Sequence, residues 1–146
     1  MKTTAGAQAN KNGGILEHQV VPVLEANGYH KGPPQPGSKT YQTQVPLGET
    51  IYGSRRRVDF LLTDADGSRK VIECKYQVAG GSVDEKFPFL EANIRLTNLP
   101  TYVIHGGGGA KPGSLRWLAA QVSPRSKLRA VLSLSDFVVL ANTSKW

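Results

Sequence analysis

The stretch from Arg55 to Gln77, RRRVDFLLTDADGSRKVIECKYQ, leaves the chain little choice of local structure. Val58, Phe60 and Leu62 alternate with Arg57, Asp59 and Leu61, and further on Ile72, Cys74 and Tyr76 alternate with Val71, Glu73 and Lys75. Period-two alternation of this kind predicts two half-buried strands. The intervening Asp64-Ala65-Asp66-Gly67-Ser68 is built of turn formers, so the strands should form a hairpin. Two registers compete. A three-residue loop, Ala65-Asp66-Gly67 with Gly67 left-handed, sets Asp64 against Ser68. It also sets Asp59 against Glu73, with Cβ atoms about 4.5–5.5 Å apart. A two-residue Asp66-Gly67 turn instead pairs Asp59 with Cys74 and sends the carboxylates to opposite faces. The first register is preferred because it also places Lys75 on the acidic face. Two opposed carboxylates repel unless something cationic sits between them, and a hard divalent cation takes carboxylate oxygens.

The flanking sequence predicts the rest of the domain. Residues 1–13 are small and polar and read as a flexible N-terminal segment, leaving one domain over 14–146. Gly14–Asn27 reads as a helix with Ile15, Val20, Val23 and Leu24 on one stripe that Leu16 extends, interrupted by Pro22 and stopped by Gly28. Tyr29–Lys39 is Pro- and Gly-rich and reads as a connector. Tyr41–Leu47 is a strand, and Tyr52 lies in the turn after it, available to pack or stack. After Gln77, the glycine pair Gly80-Gly81 suggests a loop. A helix is expected next over Val83–Thr97, with Ser82 and Glu85 in a capping-box pattern. Pro100–His105 is a buried strand, and Gly106–Gly109 comes after it. That glycine run lacks the Gly-Lys-Ser/Thr ending of a nucleotide loop, so it reads as flexibility or close backbone approach. Ser114–Gln121 is a short helix and Ala130–Leu134 a last strand, after which Ser135 caps a final helical turn.

An Asp on one strand followed by Glu-x-Lys on the next, here Asp59, Glu73 and Lys75, resembles the PD-(D/E)XK nuclease superfamily. Val58 replaces the proline usual before the aspartate. The order helix, strand, Asp strand, Glu-x-Lys strand, helix, strand, from about Gly14 to His105, is similar to the superfamily core. Glu73–Gln77 followed by Gly81–Pro88 is also similar to a subgroup of small phage and bacterial nucleases. The resemblance implies an α/β fold with a restriction-endonuclease-like core, a mixed, mostly antiparallel sheet flanked by helices. It implies a metal-dependent DNA endonuclease using Mg2+, with Mn2+ able to substitute. Asp59, Glu73 and the backbone carbonyl of Cys74 would be ligands, and Glu17 on the first helix is a candidate further ligand. Lys75 would orient or deprotonate water or stabilise the phosphate. Gln77, two residues on along the same face, would help place water or phosphate.

Charge agrees with an anionic partner: 18 Lys and Arg stand against 11 Asp and Glu, giving +7. The candidate DNA contacts are Arg55, Arg56, Arg57, Lys86, Arg125 and Lys127. Alternation puts Arg57 on the Asp59 face and turns Arg56 away from it. A single cysteine excludes an internal disulfide, and one Cys with three scattered His gives no zinc spacing. No apolar run is long enough for a membrane span and no signal-peptide core is present, so the expected setting is the cytoplasm of a bacterial or phage-infected cell. Two other readings stay open. One is a structure-specific resolvase of branched DNA such as Holliday junctions, which should be a homodimer. The other is a non-catalytic DNA-binding subunit of a nuclease complex.

Overall fold

The computed structural model describes the backbone of residues 5–78 and 82–146, with side chains described from residue 14 and not for residues 82 and 83. Ten elements run in order: α1 (Ala5–Ala26), β1 (His30–Lys31), β2 (Thr40–Glu49), β3 (Arg55–Thr63), β4 (Arg69–Tyr76), α2 (Ser82–Thr97), β5 (Thr101–Gly106), α3 (Pro112–Ala120), β6 (Leu128–Ser133) and α4 (Leu134–Asn142). The strands form one six-stranded sheet in the order β1-β2-β3-β4-β5-β6. β2–β3 and β3–β4 are antiparallel, whereas β1–β2, β4–β5 and β5–β6 are parallel. The fold is therefore α/β with a mixed sheet, and the mostly antiparallel character expected of it is confined to the β2–β4 meander. The parallel pairs β4–β5 and β5–β6 are joined by helical crossovers, α2 and α3, whereas a short loop joins β1 to β2.

The hairpin adopts the three-residue loop. Asp64 N–H donates to the Ser68 carbonyl at 2.8 Å, Gly67 N–H donates to the Asp64 carbonyl at 2.9 Å, and Gly67 has φ +87°. Leu62 partners Lys70 and Phe60 partners Ile72, the register that points Asp59 toward Glu73. Glycine is required at the left-handed position because a Cβ there meets the following carbonyl. Gly67→Ala is expected to lower stability by about 1–2 kcal/mol, read as a lower urea midpoint at unchanged slope.

Both faces of the sheet are covered. On one, Leu16, Val20 and Leu24 of α1 and Phe137 and Ala141 of α4 pack on Phe60, Leu62, Ile72, Cys74 and Ile104. The buried α1 stripe is thus 16, 20, 24, and Ile15 stays 39% exposed. On the other face, Phe87, Leu90 and Ile94 of α2 and Leu118 of α3 pack on Val103 and Leu128. Each such fully buried aliphatic chain is worth about 1.5–3 kcal/mol against exposure. Pro22 and Pro88 both lie inside continuous helices.

Several boundaries differ from expectation. α1 begins at Ala5, inside the stretch read as flexible. The loop after Lys31 is preceded by a two-residue strand that pairs in parallel with Thr40–Tyr41, which Pro-rich composition gives no hint of. Ser133, not Ser135, caps α4 by accepting a hydrogen bond from Asp136 N–H at 3.1 Å. The loop expected over the glycine pair and the Ser82 capping box lie outside the described residues.

Alternation breaks at one point on β3. Val58 packs with Leu61 and Val71, while Phe60 and Leu62 pack with the α1 layer. Side chains of β3 therefore change layer across Asp59. Opposite the break, Thr43 partners Phe60 and Val45 partners Val58, leaving Gln44 to face Asp59 with φ +52°. A local irregularity of this type sharpens twist and re-aims side chains.

Candidate active site

The hairpin register and the break at Asp59 together assemble an acidic cluster. The β3–β4 ladder is paired as far as Phe60 and Ile72, and just beyond it the Asp59 carboxylate reaches across to β4. Its Oδ2 accepts the Cys74 backbone N–H at 2.7 Å. Its Oδ1 accepts from Gln44 Nε2 at 3.1 Å, and the same amide donates to Glu17 Oε1 at 3.0 Å. Asp59 is also within hydrogen-bonding reach of the carboxyls of both Glu17 and Glu73. The structure thus brings Glu17, Asp59 and Glu73 together, with Lys75 close enough to act electrostatically on both glutamates.

Crowding of carboxyls shows in their acidity. Glu73 is 4% exposed, and burial pushes its pKa up to about 8. Asp59 adds to that rise, while Lys75 and Arg56 oppose it. Glu17 is pushed up to about 7, first by burial and then by Asp59. Hydrogen bonds between carboxyls require a shared proton, and a cation in their midst removes that need. An all-oxygen donor set suits Mg2+ or Mn2+. Among the described residues no group of three or more His, Cys, Asp or Glu is placed so that it could hold a metal ion. That is compatible with Mg2+, which is commonly held by one or two carboxylates and completes its shell with water and substrate oxygens.

Arg56 departs from the expected orientation. Strict alternation turns it away from the acids, but the layer change at Asp59 brings it back to them. Its Nη2 lies 3.2 Å from Glu73 Oε1 in an ion pair with both side chains 5% exposed, and its Nη1 donates to Thr97 Oγ1 on α2. Burial lowers the Arg56 pKa, and Glu73 and Asp59 counter that. A buried arginine needs such partners. Arg57 is exposed and donates to the Gln44 carbonyl at 3.1 Å, which ties the irregular β2 segment to β3.

Arg55, Arg56, Arg57, Lys75 and Lys86 line one cleft of about 280 Å³ together with Glu73. Arg125 and Lys127 line a different cleft with Glu91 and Arg95, so they are not brought to the acids. Gln77 is buried and bonds to the glycine run. Its carbonyl accepts Gly109 N–H at 2.6 Å, its N–H donates to the Gly106 carbonyl at 3.0 Å, and its Nε2 reaches the Gly109 carbonyl at 3.4 Å. The glycine run is thus a close backbone approach. The Cys74 side chain packs in the α1-side core, and burial pushes its thiol pKa well up.

Gln44, Arg56 as a partner of Glu73, and Thr97 were not found from sequence. Only the facing position of Gln44 on the preceding strand carried a signal, and that needed the β2–β3 register.

A family model described as the PD-(D/E)XK nuclease superfamily domain matches residues 8–145. No curated protein matches the chain.

Proposed function

Because this chain belongs to the PD-(D/E)XK nuclease superfamily, and so is a nuclease in kind, we propose that it is a metal-dependent endonuclease that hydrolyses DNA phosphodiesters within the strand. The observation that carries this is the nearness of Asp59 to Glu73, which with Lys75 lines an arginine-rich cleft. Asp59 and Glu73 would hold the divalent cation, with the Cys74 carbonyl beside them and Glu17 behind. Such a cation, when bound, activates a water and neutralises charge on the phosphate.

The protein's own groups do the rest. Gln44 fixes the Asp59 and Glu17 carboxyls in one arrangement through a single bridging amide. The Cys74 N–H holds the second Asp59 oxygen and so aims that carboxylate. Lys75 offers its ammonium to a phosphate oxygen or to the attacking water. Arg55, Arg57 and Lys86 bind the phosphates on either side, contacts that position the strand without reading its sequence. Arg56 holds the buried Glu73 carboxyl in place through its guanidinium. Gln77 anchors the glycine run behind Lys75.

Closed circular DNA with Mg2+ or Mn2+ gives the test, since only internal cleavage relaxes a circle. The wild type is expected to produce nicked and then linear DNA. Asp59→Asn should be slower by about 10²-fold or more, because a ligand is lost as well as the charge that holds it. Equal cleavage by both proteins would remove the site.

A further inference from the structure

The turn between β2 and β3 presents an aromatic ring with no role in the core. Tyr52 is 81% exposed, whereas the chain's other described tyrosines are buried or half-buried. One face of its ring lies on Phe89 of α2, with centroids 5.2 Å apart and planes 24° from parallel. The turn beneath it is tied down at several points. Thr50 N–H donates to the Ser54 carbonyl at 2.8 Å, Gly53 N–H to the Thr50 carbonyl at 2.9 Å, and Ile51 N–H to Asn93 Oδ1 on α2 at 2.9 Å. Tyr52 is thus held as a flat shelf, backed on one side and exposed on the other.

The shelf adjoins the cationic cleft. Phe89 and Thr50 line the same hollow as Arg55, Arg57, Lys86 and Glu73. A flat apolar surface beside three cations matches the two parts of a nucleotide, a base with a π face and a phosphate. Bases inside a duplex have both faces covered by their neighbours, so only an unpaired or extruded base can lie on such a ring. A stacked aromatic tolerates any base and is worth about 1–3 kcal/mol per base.

We propose that Tyr52, backed by Phe89, is a stacking platform for an unpaired nucleotide next to the scissile phosphate. The substrate class is then DNA with single-stranded character at the cut, such as a loop, flap or junction strand. The proposal rests on the nuclease reading above and narrows its substrate.

Binding without metal separates the two ideas, because cleavage plays no part in it. The full chain in chelator is titrated against a labelled single strand of about 12 nucleotides and against its duplex, by fluorescence anisotropy at several salt concentrations. Tyr52→Ala should weaken single-strand binding about 5- to 100-fold and duplex binding less than about 2-fold. Tyr52→Phe should bind as wild type does. The salt slope for the single strand should be the same in wild type and Tyr52→Ala, because a stacked ring releases no counterions. A 2-aminopurine in the strand should be quenched by wild type and not by Tyr52→Ala. Equal loss on both DNAs, no loss on either, or quenching that survives Tyr52→Ala would overturn the platform. Failure of the nuclease reading would show elsewhere, as circular DNA left intact by wild type with Mg2+.

Discussion

Glu73→Gln is expected to reduce cleavage by about 10³-fold or more, with loss of roughly 4 kcal/mol of barrier lowering, and to flatten the pH dependence of metal-free stability. The second effect comes from linkage. The Glu73 pKa is about 8 in the folded protein against an ordinary glutamate value of 4.5. Between those values the folded chain holds a proton that the unfolded chain has released. Stability from this group is therefore complete below about pH 4.5 and is lost as pH rises toward 8. One proton limits the slope to about 1.4 kcal/mol per pH unit. Glutamine does not titrate, so this contribution vanishes, while that of Glu17, whose pKa is raised to about 7, persists. Gln retains an oxygen for the Arg56 guanidinium, so the buried arginine keeps a partner. Thermal melts from about pH 5 to pH 8.5 measure both slopes. Added Mg2+ should raise the wild-type melting temperature more at the alkaline end, where the carboxyls are ionised, and should do little for the Gln variant. Cleavage at the wild-type rate by Glu73→Gln would exclude Glu73 from the chemistry.

Gly107→Ala is expected to be the most destabilising of the glycine substitutions. The residue has φ +85°, and a Cβ there would enter the space of the Gln77 carbonyl. The backbone conformation costs about 1–2 kcal/mol for a non-glycine residue. The collision with main chain adds about 1–3 kcal/mol, because a carbonyl held by Gly109 N–H has little room to retreat. Together they amount to about 3 kcal/mol, or a fall of roughly 6–10 °C in melting temperature for a chain of this size. Gly108→Ala is the control. It has φ +71° with nothing within 4 Å of the added carbon, so only the backbone cost applies. A Gly107→Ala melt no lower than that of Gly108→Ala would show that the glycine run yields freely. The strain would be felt at Gln77, two residues beyond Lys75, so cleavage should fall further than the unfolded fraction accounts for.

Much of this arrangement could be read from residue order, because it is set by short-range chemistry. Gly67 at the third loop position selects one turn, that turn selects one register, and the register aims Asp59 at Glu73. The parallel half of the sheet was less legible, since strand order depends on crossovers and not on neighbours. Alternation misplaces Arg56 for a definite reason. It assumes an unbroken strand, and β3 changes layer at Asp59. Nothing in the local sequence marks that break, because its cause lies partly in Gln44 on another strand. Arg125 and Lys127 failed to join the cleft because positive charge in a sequence carries no direction. The bonds between Gln77 and the glycine run were not legible either, since they join backbone segments far apart in sequence.

The acidic cluster draws on both helical layers at once: Glu17 comes from α1 on one side of the sheet, and Glu73 sits under α2 on the other. A refolding chain can close its hairpin early, since those partners are near in sequence, while the outer layers dock through distant contacts that form more slowly. The acidic cluster is therefore complete only once both outer layers have docked.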